Sequence, residues 1–335
     1  MFGIYRLNKK TIQRRMNHDR TPDVLSYKAI FVIIFSMVTP FILSTFIYNF
    51  STSLNQTIYT KIMMYVKGVS EVETATLYGI YSGQPVTISN IPIAIASAVS
   101  SAMIPTISGL FAQGNYEGCN NKIKQAIHTT MLVAIPSMAG LFALAKPVTV
   151  LLYNLPDSIE LSSSLLRVLC VTVVFYSLST LTNAVLQGIG KVNIPVINAA
   201  IALVIQTVVL LVLMYGTNLG LYAIAIAAIC YSFVMCLLNN ISVVKYLKYK
   251  QNYVKTYLLP LIAATFMGLA AYGVYHGLYL LIPVNVVCLV VAIGVAAIVY
   301  FVLLIKIGGI TKDDLYSFPK GAMLVRVATK MRLLK

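Results

Sequence analysis

The sequence predicts an all-α fold, a polytopic bundle of eight transmembrane helices. Three observations carry that prediction. Apolar residues fill 59% of the 335 positions and charged residues only 10%, against about 25% charged in a soluble domain. Eight apolar stretches recur along the chain, each close to the roughly 20 residues that a membrane span requires. The basic residues alternate with them: if the N-terminus is placed inside, 21 of the 25 Lys and Arg fall in inner segments. That bias sets orientation and places both termini in the cytoplasm, with the chain multi-pass in the plasma membrane.

Residues 1–28 form a basic cytoplasmic segment carrying Arg6, Lys9, Lys10, Arg14 and Arg15 among others. The first span is expected over 29–50, bent at Pro40, and is followed by a polar stretch at 51–60. The second, 77–108, is expected to organise the bundle. It carries no charge, yet its first half holds Ser82, Gln84, Thr87, Ser89 and Asn90, interrupted by Pro85 and Pro92. Hydrocarbon penalises unpaired polar groups, so such residues must face protein or a wet cavity. Its second half sets Ala94, Ala98 and Ala102 one turn apart, a spacing that lets a neighbouring helix approach closely. The other reading of its Ser, Thr and amide groups is local bonding to their own helix and glue between helices.

The third span covers 126–145. Residues 146–156 are apolar but too short to cross and are placed at the interface. The fourth to eighth spans follow at 168–186, 194–215, 221–244, 257–276 and 283–305. The fifth contains Asn198 and Gln206, and the last two are joined by a very short turn. The tail, 307–335, is again basic. The domain division is 1–28, a six-helix lobe at 29–245, a linker with two additional helices at 246–306, and the tail. Tyr48, Tyr78, Tyr153, Tyr215 and Tyr257 are expected at span ends as an aromatic belt.

The composition argues against several functions. The net charge of +16 lies in tails and loops beside apolar spans, which suits anionic lipid headgroups and not nucleic acid. No Asp or Glu falls within a span core. Glu71 with Glu73 and Asp313 with Asp314 are the close acidic pairs, and both read as solvated loop charges. The histidines, His18, His128 and His276, are far apart, and no zinc-protease, serine-hydrolase or phosphate-loop motif occurs. No catalytic residue, metal or cofactor is expected. Arg167 and Lys124, at span edges, are the cations nearest to an anionic cargo; both also suit topology or snorkelling.

The run Leu77-Tyr78-Gly79-Ile80-Tyr81-Ser82-Gly83-Gln84-Pro85, closed by Ile104-Pro105-Thr106-Ile107-Ser108, resembles the eighth helix of the multidrug/oligosaccharidyl-lipid/polysaccharide flippase superfamily, in its stage V sporulation protein B and polysaccharide-biosynthesis branch. Leu186-Gln187-Gly188-Ile189-Gly190-Lys191, with Pro195 after it, is similar to that branch's loop between helices ten and eleven. Gly308-Gly309-Ile310, Asp314-Leu315 and Pro319-Lys320-Gly321 resemble its C-terminal segment. In order, the motifs match helices seven to fourteen of a fourteen-helix family, without the N-terminal lobe. Where related sequences often carry a Lys in the fifth span, this chain has Gln206.

The resemblance implies alternating access, in which a polyprenyl-diphosphate-linked saccharide passes its head through a cavity between two lobes. It implies Gln84, Asn90, Asn183 and Gln187 as cavity-lining hydrogen-bond partners, Arg167 as a cationic candidate, and Pro85 and Pro92 as the flexing bend. A drug exporter of the same superfamily stays open as an alternative. So does a non-transporting remnant or assembly partner. The missing half would come from a separate N-terminal lobe or from a homodimer.

Overall fold

The structure is a computed structural model that describes residues 26–249 and 251–310. The basic segment before residue 26 and the tail motifs at Asp314-Leu315 and Pro319-Lys320-Gly321 lie outside the described residues. The described residues are helical, and eight helices are long and apolar enough to cross a membrane. The chain divides into two units between Ile42 and Leu43. In the first, the start of helix α1 (Tyr27–Tyr65) has Ser36 Oγ donating to the Ile33 carbonyl at 2.8 Å, and Phe31 stacked on Phe35.

In the second unit α1 continues to Tyr65, well past the end of the expected first span at residue 50. The polar stretch 51–60 is helical. Thr52 and Thr57 return their hydroxyls to the carbonyls of Tyr48 and Ser53, which removes unpaired donors from the apolar environment. Ser51 finds a partner on a distant helix, as described below.

The second span is a broken helix. α2 (Glu71–Gly83) opens with Ser70 accepting from the Glu73 N–H at 3.2 Å, the first half of a capping box. It stops at Gln84, and Pro85 starts α3 (Pro85–Ala112). A proline is at home in a first helical turn, where its missing N–H leaves no bond unmade. α4 (Tyr116–Ala143) is capped by Asn115, whose Oδ1 accepts from the Gly118 N–H at 2.8 Å. The segment expected at the interface forms the short helix α5 (Ala145–Tyr153).

α6 (Pro156–Gly188) begins twelve residues before the expected fourth span and is the hub of the bundle. It is the most buried of the eight spans, at 61% of its apolar window, and it packs against α3, α4, α5 and α8. The 77–108 stretch, expected to organise the bundle, packs along it through α3. The reason is in the serines: Ser162, Ser163, Ser177 and Ser179 are buried, and small side chains let several helices close on one. α6 ends on a Schellman motif. Gly190 takes φ +75°, its N–H reaches the Gln187 carbonyl at 3.0 Å, and Lys191 N–H reaches the Leu186 carbonyl at 2.8 Å. A positive φ there suits glycine and satisfies the last carbonyls.

α7 (Asn193–Gly216) and α8 (Leu221–Leu247) follow, joined by a four-residue turn. A π-helical turn (Val254–Leu258) leads into α9 (Leu259–Leu281), and α10 (Asn285–Lys306) packs beside it. α9 also packs on α4, where a Cβ on Gly268 would meet the Ala139 carbonyl at 3.5 Å. Connections expected on one side do meet. Lys67 Nζ, between α1 and α2, donates to Asn218 Oδ1 at 2.8 Å in the α7–α8 turn. At the other end Asn120 donates to the Leu247 carbonyl, and Lys191 lies 5.1 Å from the Tyr246 ring centre.

Candidate functional site

A cavity of about 90 Å³ lies between α1, α2, α3, α6, α7 and α8, large enough for several waters. Tyrosine rings wall it. Tyr78 stands 5.9 Å from Tyr81, centre to centre, and Tyr48 meets Tyr176 edge-on at 6.1 Å. Tyr48 and Tyr78, expected at span ends, thus line an interior site, because α1 and the α2–α3 span are longer than the apolar runs that announced them. Besides the tyrosines, the polar lining is Ser51, Thr52, Asn55, Ser82, Ser89, Asn90, Thr172 and Gln206, with no acidic or basic side chain among the lining residues.

Thr52, Ser82, Ser89 and Thr172 return their hydroxyls to carbonyls of their own helices, and two lining groups pair across helices. Ser51 Oγ on α1 donates to Gln206 Oε1 on α7 at 2.9 Å, and Gln206 is 1% exposed. Asn55, on the next turn of α1, is also buried, and its Oδ1 has no protein partner among the described residues. A buried acceptor left unmade costs about 1–3 kcal/mol, so the cavity suits water or a ligand hydroxyl. Among the described residues no group of three or more His, Cys, Asp or Glu is placed to hold a metal.

The cavity opens beside an exposed polar strip. Thr52, Gln56 and Thr57 on α1 and Thr87 and Asn90 on α3 are all exposed. Asn90 is near the middle of the 42-residue span Glu71–Ala112, at hydrocarbon depth if the span crosses. The other side of α3 is apolar. Ile91, Pro92 and Ile95 form one wall of an open groove of about 500 Å³, with Pro136 and Gly140 of α4 and Tyr300 of α10 on the facing walls.

The residues expected to act together are dispersed. Asn90 lines the cavity. Gln84 is 5% exposed and sits at the helix break, where its Nε2 donates to Ser158 Oγ on α6 at 3.0 Å. Tyr153 OH donates to the neighbouring Gly83 carbonyl at 2.7 Å. Those two bonds brace the break against α5 and α6. Asn183 joins a chain of amides across three helices: Asn239 Nδ2 donates to Asn183 Oδ1 at 2.7 Å, and Asn198 Nδ2 donates to Asn239 Oδ1 at 2.9 Å. Asn239 is fully buried and is the centre of this network. Gln187 is half-buried at the end of α6, and Arg167 is exposed on it. Pro85 starts α3, so the discontinuity falls there, whereas Pro92 stays inside the helix and faces the apolar groove.

Ser51, Asn55 and Tyr176 escaped the sequence reading as site residues. Ser51 and Asn55 are four apart, hence on one face of a helix, and that was the available signal.

Residues 83–212 match the MatE family, from the helix break through most of α7. Over 221 residues the chain is 28% identical to Lipid II flippase MurJ of Bacillus subtilis, covering 63% of this chain and 40% of that protein. It is 24% identical to Stage V sporulation protein B of the same organism over 320 residues, or 95% of this chain and 60% of the relative. The MatE match covers about two fifths of the chain, and over that stretch the chain is similar to the family. Its bundle superposes on a superfamily transporter from Pyrococcus furiosus with a TM-score of 0.53 at 12% identity, covering 79% of this chain and 63% of that one. An outward-facing multidrug resistance transporter of the superfamily gives the same values; at that identity the likeness concerns the fold. The chain spans about 40 to 60% of the length of these two curated relatives.

Proposed function

We propose that this bundle is one half of an alternating-access flippase for a polyprenyl-diphosphate-linked saccharide. The observation that carries the reading is the exposed polar strip of α1 and α3 beside a tyrosine-walled cavity. Thr52, Gln56, Thr87 and Asn90 are uncharged and exposed on helices long and apolar enough to cross a membrane, and at hydrocarbon depth their contact with lipid would be unfavourable. A wet path shared with a second half satisfies them. Hydroxyls, amides and aromatic faces are the groups that bind sugars by hydrogen bonding and stacking. Among the described residues no cation lines the cavity to meet a diphosphate, and in this reading a second half, either an N-terminal lobe or another copy of this chain, supplies that charge. A cationic-drug exporter calls for a carboxylate, and among the described residues none lines the cavity. The similarity to a lipid II flippase supports the same cargo class. The open apolar groove behind α3 suits an isoprenoid or acyl tail. By the distribution of Lys and Arg, the end holding Lys122, Lys191 and Lys245 faces the cytoplasm of a plasma membrane, with both termini on that side.

Native mass spectrometry of the protein released gently from its own membrane tests this. The expected spectrum shows a multi-helix complex or homodimer carrying a polyprenyl-diphosphate saccharide. A monomer with bulk phospholipid alone would remove the cargo claim.

A further inference from the structure

The short helix α5 is gripped at both ends. α4 gives way to it without a connecting loop: Leu144 ends α4 and directly precedes Ala145, and the Val148 N–H returns to the Leu144 carbonyl at 3.0 Å. Ala145 and Thr149, four apart and so on one face, are fully buried, and Thr149 Oγ1 donates to the Ala145 carbonyl at 2.9 Å. α5 packs on α6, α10 and α4. A helix of nine residues is too short to hold itself by propensity, so its neighbours set its position.

Near its start, the Pro147 carbonyl accepts from Asn285 Nδ2 at 3.0 Å, and Asn285 Oδ1 accepts from the Tyr275 hydroxyl at 2.8 Å. Asn285 opens α10 and Tyr275 lies near the end of α9, so one amide ties α5 to both helices of that pair. At the other end Tyr153, the last residue of α5, donates to the Gly83 carbonyl at the break between α2 and α3. Pro85 supplies no N–H across the break, and Thr87 Oγ1 donates to the Ser82 carbonyl at 3.3 Å. Side-chain hydroxyls thus hold two successive carbonyls there. A Cβ on Gly79 or Gly83 would meet nothing within 4 Å, which leaves open space along that side of α2. The same short helix carries Tyr78, Tyr81 and Ser82 of the cavity wall.

We propose that α5 is a coupling strut. It transmits the position of the α9–α10 pair to the α2–α3 break, and through the break it sets the stance of Tyr78 and Tyr81 in the cavity wall. Tyr153 and Asn285 are its positioning residues. Hydrogen bonds joined by a rigid secondary element are the kind of connection that carries energetic coupling between separate parts of a fold. Val148 and Leu152 of α5 also line the apolar groove, so the strut runs between the groove and the cavity. The coupling needs no particular cargo.

The test uses the full chain in membranes, with the five native cysteines replaced and Ser82→Cys introduced, at a half-buried position beside the break. Labelling by a small, membrane-impermeant thiol reagent reads how readily the break opens. Tyr153→Phe keeps the ring and removes the bond to Gly83. Labelling is expected to rise about fivefold, the factor that losing one ordinary hydrogen bond gives an opening equilibrium. Asn285→Asp keeps an acceptor for Tyr275 and removes the donor to Pro147, at the far end of α5 from the break. It is expected to raise labelling about twofold or more if the strut transmits. In the double variant the rise is expected to match that of Tyr153→Phe alone, because a detached strut has nothing left to transmit. Independent distant sites would instead multiply their factors. Ser232→Cys, at a fully buried position on α8, is expected to stay unlabelled with each variant. Labelling at position 82 that is unchanged by Tyr153→Phe or by Asn285→Asp, or that multiplies in the double variant, would overturn the coupling. So would labelling of Ser232→Cys, since the whole bundle would then have loosened.

Discussion

Gly188→Leu is expected to destabilise the bundle by about 3 kcal/mol, the upper end of the usual cost of overpacking a filled core. Gly188 is buried at the end of α6, where α3 crosses it. A Cβ there would meet Ile107 Cγ2 at 3.1 Å and the Ile104 carbonyl at 3.4 Å. Ile107 is itself fully buried and β-branched, so it has few rotamers to retreat into. Leucine adds three carbons beyond that Cβ, and they must push α3 off the hub. Gly188→Ala sets the sign of the smaller change. Its Cβ alone already crowds Ile107 at 3.1 Å, and position 188 closes α6, where the interior propensity gain of about 1 kcal/mol is not fully available, so a small destabilisation is expected. Thermal unfolding in detergent distinguishes the two: Gly188→Leu should melt well below the parent and Gly188→Ala within a few degrees of it. Equal melting of all three would mean that α3 and α6 do not approach here as described.

Asn90→Phe is expected to lower occupancy by the lipid-linked saccharide at least tenfold with little change in melting temperature. Asn90 is exposed, so a larger ring meets no packed neighbour behind it. It also lines the tyrosine-walled cavity, so the same ring fills the mouth and replaces an amide that a sugar hydroxyl would use. Asn90→Ser, which stays small and polar, should keep most of the occupancy. The saccharide adduct in native mass spectra of the two variants is the readout. Equal adduct in both would move the binding site away from α3.

The helices and the polar strip differ in how far the sequence discloses them. Eight apolar runs separated by charges disclose eight spans, because hydrocarbon allows few alternatives to a helix. Asn90 was legible for the same reason: an amide amid apolar neighbours at span depth has to be accounted for. The lengths of α1 and α6 were less legible, since their extensions are rich in Ser and Thr. Those residues look like loop until their bonds to preceding carbonyls and to distant helices are seen. Gln84 and Asn183 show the other limit. The sequence marks an amide in a span as engaged, but not with what, and here Ser158 and Asn239 are the partners. Ser158 is 74 residues from Gln84, and no local pattern announces a pairing at that separation.

The central claim is that α1 and α3 present a water-filled path at membrane depth. Cysteine accessibility tests it most directly. In a background with the five native cysteines replaced, single cysteines are placed at Thr52, Thr87 and Asn90, and at Val204 and Val208 on the exposed apolar face of α7. Membranes are treated with a small, membrane-impermeant thiol reagent. The account predicts rapid labelling at Thr52, Thr87 and Asn90 and almost none at Val204 and Val208. Labelling as slow at Asn90 as at Val204 would place the strip against lipid or protein and contradict the proposed path.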